Sequence, residues 1–353
     1  MSKRGIELKN LTQLVPIEAN WSLCIGAGTS YGFFPLWNEL AKNIMYERAK
    51  YYDEDAAEKF ISEFGPDTLI QAVINNDNIS EEDAIRLLSS CLYKKLKDQL
   101  TKQEWGIIIK ALSYTNPSEG RHLWNDYLNI INNLCDSNHN KTPLILGDVV
   151  CDSILANKKP MYILSFNAEP LLYSIINAIT YERLNSNVKH IDIVNETISY
   201  HHKDRIPYIY CHGTVPIYEA SKSAIKRMSV INKMVFSENE YLQLSNTAYS
   251  WQSASFITAA SYSHMFFVGL SMTDYNIRRW LSWLQAARLQ DIQHKNPLAK
   301  DSTQHYWINV SPHNAQQKQW YEACVAHLGV RLIWIDDWAQ LKEVFRTALN
   351  INM

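Results

Sequence analysis

The stretch Trp21-Ser22-Leu23-Cys24-Ile25-Gly26-Ala27-Gly28-Thr29-Ser30 decides the fold. An apolar run, read as a strand over Ile17–Ile25, breaks on two glycines. Beyond them Leu36, Leu40, Ile44 and Met45 recur at the period of a helix running to Ala49. Strand, glycine turn and helix together form the opening unit of an open α/β sheet. Glycines at such a turn let the backbone approach a pyrophosphate, and the N-terminus of a following helix favours its charge. The same turn serves equally well as a tight connection with no ligand. It is not the G-x-G-x-x-G fingerprint, because the next glycine is Gly32. A hydride-transferring dehydrogenase is therefore disfavoured.

Downstream the texture changes twice. Residues 51–140 offer helical patterns and almost no strand signal, with helices read over 56–64, 68–74, 83–96, 105–112 and 123–134. Ser80 before Glu81-Glu82-Asp83 reads as an N-cap with an acidic first turn. From 141 the α/β rhythm returns. Strands are read at 161–166, 190–194, 207–211, 264–270, 306–310 and 330–335, with a further short one at Met234–Phe236. Helices are read at 144–156, 170–183, 239–262, 276–289, 315–328 and 338–349. Alternation of this kind predicts a Rossmann-like, doubly wound, mostly parallel sheet. Residues 1–50 and 141–353 form its discontinuous domain, and 51–140 is a helical subdomain inserted after the first unit.

Three more strand ends carry polar residues. Ser165-Phe166-Asn167 closes one strand, with Glu169-Pro170 opening the next helix. Asn167 can face a ligand at the sheet edge or merely cap that helix. Tyr208-Ile209-Tyr210-Cys211-His212-Gly213 closes another, and His212 fits either a general base or a hydrogen-bonded loop histidine. Gly269-Leu270-Ser271-Met272-Thr273-Asp274 ends the most apolar strand. Ser271 and Asp274 suit a ribose or phosphate, and equally a helix cap. All four elements lie at carboxyl ends of predicted strands, so a single parallel sheet brings them to one edge.

Composition sets the outer limits. At 353 residues the chain has room for about two domains of ~150 residues. Lys and Arg number 34 against 36 Asp and Glu, so no global charge calls for nucleic acid or an anionic membrane. With 46% hydrophobic residues, wholesale disorder is excluded. The six cysteines show no C-x-x-C spacing, so no zinc module or other metal site is expected. Cys24 and Cys211 sit in apolar runs and read as small buried hydrophobes. The polar start at Met1–Asn10 has no signal-peptide core, and no apolar run approaches ~18 residues. A soluble, reduced, cytoplasmic protein is expected.

In order, GAGxS, a strand ending on Asn167, His212-Gly213 and Gly269-x-Ser271-x-x-Asp274 resemble the sirtuin family in its bacterial NADase branch, which includes sirtuin-like effectors of anti-phage defence. The resemblance covers Trp21–Trp37 and nearly all of 160–348, including Val235–Leu242 and Gly329–Asp337. It implies NAD+ as substrate, with the pyrophosphate turn on Gly26, Ala27, Gly28, Thr29 and Ser30. A ribose-facing asparagine falls on Asn167 and a catalytic histidine on His212. The adenosine side falls on Gly269, Ser271 and Asp274. Two departures stand out: Glu169 replaces the family's aspartate, and the loop Tyr31–Phe34 is a residue short. The implied activity is an NAD+ glycohydrolase giving nicotinamide and ADP-ribose or a cyclic form. It would be restrained in a homo-oligomer or by a sensor or activator protein. A protein deacylase and a non-catalytic nucleotide sensor are the rival readings, the first disfavoured by the missing four-cysteine zinc module.

Overall fold

The computed structural model describes residues 5–13, 20–48, 53–76, 79–113, 121–184, 188–195, 202–219, 234–246, 250–298 and 303–351. The strands are β1 (Ile6–Glu7), β2 (Trp21–Ile25), β3 (Ile163–Ser165), β4 (Ile191–Val194), β5 (Ile206–Tyr210), β6 (His264–Val268), β7 (His305–Val310) and β8 (Val330–Ile335). They form one sheet in the order β1-β8-β7-β6-β2-β3-β5-β4, and every pairing is parallel. The doubly wound α/β architecture expected from the sequence is therefore present. From the central β2 the chain builds outward through β3 to one side and later returns to β6 on the other. The switch of direction falls between β2 and β6, where open α/β sheets leave a crevice at their carboxyl edge.

Burial on both faces explains the apolar strands. β2, β3 and β5 are buried throughout, as parallel strands covered by helices require. Their side chains alternate with the two-residue period of a strand. Leu23, Ile25, Ile163 and Tyr208 enter one core, whereas Cys24, Leu164, Ile209 and Cys211 enter the other. The first core lies beneath α1 (Trp37–Arg48), α7 (Thr142–Leu155), α8 (Leu171–Leu184) and α13 (Leu341–Leu349). The second lies beneath α9 (Glu238–Asn246), α10 (Trp251–Tyr262), α11 (Tyr275–Lys295) and α12 (Ala315–Ala326). On α13, Leu341, Val344, Phe345 and Ala348 form one buried stripe at helical spacing. Lys158 donates to the carbonyls of Leu349 and Asn350 at 2.9 Å each, closing the end of that helix.

Between α1 and α7 come α2 (Glu54–Phe64), α3 (Pro66–Asn76), α4 (Glu81–Lys97), α5 (Lys102–Leu112) and α6 (Arg121–Ser137). Ser80 caps α4 as its sequence indicated, accepting from the Asp83 N–H. Thr101 and Glu104 form a reciprocal capping box on α5. These helices add to the sheet's own core: Ile70, Leu88, Ile108, Trp124 and Ile131 belong to the same apolar cluster as Leu23 and Tyr208. No helix among the described residues is long and apolar enough to cross a membrane.

Some expected boundaries move. β2 begins at Trp21, and the expected start at Ile17 lies outside the described residues. Met234–Phe236 is not a strand. Only Val235 donates to the β5 side, at the His212 carbonyl, and the N–H groups of Phe236 and Ser237 turn instead to the Glu240 carboxylate. The helix read over 239–262 is two helices, the second capped by Ser250. The segment 338–349 opens as a 3₁₀ turn capped by Asp337 before α13. β1 is two residues long, too short for any periodic signal.

Candidate active site

The glycine turn after β2 is stitched to the end of β6. Gly26 donates to the Val268 carbonyl at 3.1 Å, and Gly28 donates to the Gly269 carbonyl at 2.9 Å. Close backbone approach is what these glycines permit. A Cβ on Gly269, whose φ is +66°, would stand 2.4 Å from the Thr29 nitrogen. The turn continues as a single 3₁₀ turn over Ala27–Ser30 and does not open α1, which starts only at Trp37. The Gly28 N–H is committed to the Gly269 carbonyl, and Ala27 and Gly28 are exposed.

Thr29 and Ser30 are buried and point toward the end of β3. There the Asn167 amide lies 3.2 Å from both hydroxyls and 2.9 Å from Glu169 Oε1. Ser30 donates to the same carboxylate oxygen at 2.6 Å, and the Leu171 N–H donates to Oε2. Burial pushes the Glu169 carboxyl up to about 7, against the lowering pull of its three donors. Asn167 Oδ1 is buried with no hydrogen-bond partner among the described residues. A buried, unsatisfied acceptor calls for an explanation, and a ligand hydroxyl supplies one.

His212 follows β5, the neighbour of β3, and Gly213 turns the chain away with a φ of +75° that a side-chain-bearing residue rarely adopts. His212 is 8% exposed, and its imidazole sits edge-on to Phe166 and Tyr241, with ring centres 4.9 and 5.5 Å apart. Nε2 makes no hydrogen bond among the described residues and lies 3.7 Å from Asp274 Oδ2. Desolvation lowers the His212 pKa, and Asp274 and Asp67 pull it back upward. Tyr241 donates to Asp274 Oδ2, while Oδ1 accepts from the Asn276 and Ile277 N–H groups at the start of α11.

Asp274, expected on the adenosine side, has its Oδ2 3.7 Å from the histidine's Nε2. Gly269 lies against the glycine turn. Ser271 is exposed, with its hydroxyl 2.7 Å from that of Thr273. The sequence reading passed over Tyr241 and Asp67. Tyr241 lies within the stretch that carries the family resemblance, which supplied a weak signal. Asp67 lies in the inserted helices, where no motif could mark it. Its carboxylate accepts from the Trp37 indole at 2.6 Å, and burial raises its pKa. Thr68 and Gln71 of the same helix bond to Glu238 and to the Asn239 N–H of α9. Further along the insertion, Gln99 and Asn140 hold the carbonyls of Gly32 and Tyr31, fixing the shortened loop. Among the described residues no three His, Cys, Asp or Glu side chains gather as a metal site.

Residues 177–333 match the family model of the SIR2-like domain. The matched span contains His212, Gly269, Ser271 and Asp274, and stops short of the glycine turn and Asn167. No curated protein matches the chain. The match, together with the parallel sheet, supports a sirtuin-like family.

Proposed function

We propose that this chain is an NAD+ glycohydrolase, cleaving the bond between nicotinamide and ribose. Domains of the SIR2-like kind are typically NAD+-using enzymes. The observation that carries the reading is the buried Nε2 of His212, without a hydrogen bond among the described residues and set between Asp274 and the rings of Phe166 and Tyr241, one strand from Asn167. Nicotinamide leaves as a neutral molecule, taking the electron pair of the C1′–N bond. The cation left on the sugar resembles the oxocarbenium-like transition state of glycosidases. Water then adds to C1′ and loses a proton. A desolvated, neutral imidazole is the acceptor suited to that proton, and Asp274 stabilises the imidazolium that results. Asn167 Oδ1 would hold a ribose hydroxyl or the attacking water. The exposed backbone at Ala27 and Gly28 would lie along the pyrophosphate. Products are nicotinamide, ADP-ribose and a proton, or a cyclic ADP-ribose where an internal nitrogen replaces water.

The same reading extends to biology. A free NADase would drain its own cell, so the chain acts as a restrained effector of anti-phage defence, released by a partner protein or by assembly. The packing of α3 on α9 beside His212 gives a place for such control. Incubation with NAD+, with and without an acetylated peptide, tests the chemistry. Nicotinamide release that needs no peptide is expected, from the chain alone or with its activator. Release only with peptide would establish a deacylase instead. Full turnover by a dilute monomer without any partner would overturn the restraint.

A further inference from the structure

The inserted helices end against the glycine turn. At the carboxyl end of α6, His139 takes a left-handed backbone, φ +50°. Its N–H donates to the Asp136 carbonyl at 3.3 Å, and the Asn140 N–H donates to the Cys135 carbonyl at 3.0 Å. That paired closure fixes Asn140 relative to the helix. The Asn140 side chain is buried, and its amide has one orientation. Oδ1 accepts from the Thr142 N–H at 3.0 Å, so Nδ2 faces the other way. There it donates to the Tyr31 carbonyl at 2.8 Å and to the Thr29 carbonyl at 3.3 Å, straddling Ser30. Asn138 and Gln99 extend the grip by one residue. Asn138 Nδ2 donates to Gln99 Oε1 at 2.8 Å, and Gln99 Nε2 donates to the Gly32 carbonyl at 3.3 Å. The loop lies so close that a Cβ on Gly32 would stand 2.8 Å from that of Asn138.

Thr29 and Ser30, held in this way, decide in turn how Asn167 lies. The Ser30 hydroxyl donates to Glu169 Oε1 at 2.6 Å, and the Thr29 hydroxyl donates to the Gly26 carbonyl at 2.8 Å. Each has used its one hydrogen, so both present only lone pairs to Asn167. The amide nitrogen alone can meet them, at 3.2 Å each, with Glu169 Oε1 as a third acceptor at 2.9 Å. A flipped amide would set its oxygen against two hydroxyl lone pairs and a carboxyl oxygen, and three hydrogen bonds would be lost. Oδ1 is therefore the end of Asn167 left for a ligand, buried and without a partner among the described residues.

We infer that Asn140 is a positioning residue of this site: through the backbone of Thr29–Tyr31 it seats the two hydroxyls that hold the Asn167 amide with Oδ1 free for the ligand. The kinetic consequence rests on the proposed NAD+ cleavage, and the restraint on the loop does not. Nicotinamide release by Asn140→Ala, Ser30→Ala and the double variant tests the first. Small misplacement of a reacting group is costly, so Asn140→Ala should lower kcat by about 10-fold or more. KM for NAD+ should change by less than about 3-fold. Both substitutions act through one hydroxyl, so the double variant should fall no more than about 2-fold below the slower single one. Effects that multiply, a change confined to KM, or a normal kcat would overturn the inference. Gln99→Ala, at an exposed position, covers the case in which Asn140→Ala does not fold. Its kcat should drop by about 3-fold, and an unchanged kcat would overturn the inference. A parent chain that releases no nicotinamide, alone or with its activator, would overturn the NAD+ cleavage, and hydrogen exchange then decides on Asn140. The Phe33 and Phe34 N–H groups donate to the Ser30 carbonyl at 3.1 and 3.2 Å. They should exchange about 10-fold faster in Asn140→Ala or Gln99→Ala, and unchanged protection would overturn the restraint itself.

Discussion

Glu169 is fully buried with its carboxyl shifted from 4.5 to about 7, and that shift has a thermodynamic cost that Glu169→Gln should remove. Between those two values the native chain binds more protons than the unfolded one, so stability falls as pH rises through this window and levels off above it. At ~1.4 kcal/mol per pH unit, the loss attributable to this one group between pH 5 and pH 8 is about 2.5 kcal/mol. The glutamine cannot ionise, and it keeps one oxygen to accept from Ser30 or Asn167. Urea unfolding of both proteins at pH 5, 6, 7 and 8 isolates the effect, because every other titration cancels in the difference. The variant should gain on the parent steadily, by about 2.5 kcal/mol over the range. A difference that stays flat with pH would refute burial as the governing influence. A difference of opposite sign would show that the donors from Ser30, Asn167 and Leu171 outweigh desolvation and hold the carboxylate ionised.

Four further outcomes are expected. His212→Ala should lower the rate of nicotinamide release by ~10²–10⁴-fold with the unfolding midpoint preserved; near-normal turnover in a folded sample would discard the base. Asp274→Asn should reduce kcat and leave KM for NAD+ nearly unchanged, because its carboxylate faces the histidine; a change confined to KM would return it to a binding role. Gly269→Ala places a methyl group against the Thr29 nitrogen at a left-handed backbone position. It should cost about 2 kcal/mol or more, seen as a lower urea midpoint, and an unchanged midpoint would contradict the tight stitching of β2 to β6. Nicotinamide release should survive dialysis against a strong chelator, and loss restored by zinc would point to a metal step.

What was legible in the sequence follows from the range of the interactions. The central strands announced themselves because they are buried on both faces, so Leu23, Ile25, Phe266 and Val268 leave continuous apolar runs ended by glycine. His212 and Asn167 could be singled out because each stands at such an end. The nearness of Asp274 to His212 was not legible, for a physical reason. Its cap on α11 is local and readable, but its approach to His212 depends on how β5 and β6 lie across the sheet. Asp67 was invisible for the same reason, since only folding brings α3 against α9. The commitment of the Gly28 N–H to Gly269 is likewise a contact between loops far apart in the chain. Short pieces such as β1, fixed by pairing with β8 alone, offer no pattern to read.

The apolar cluster shared by the inserted helices and the sheet has a mechanical consequence. A lid that swings on a hinge must have a surface that can part without exposing its interior. Here Ile70, Leu88, Ile108 and Trp124 are continuous with Leu23 and Tyr208, so lifting the block as a rigid body would lay bare the packing that holds the fold. The block behaves as a wall rather than a door. Excision of residues 54–137 should therefore leave a chain that does not fold.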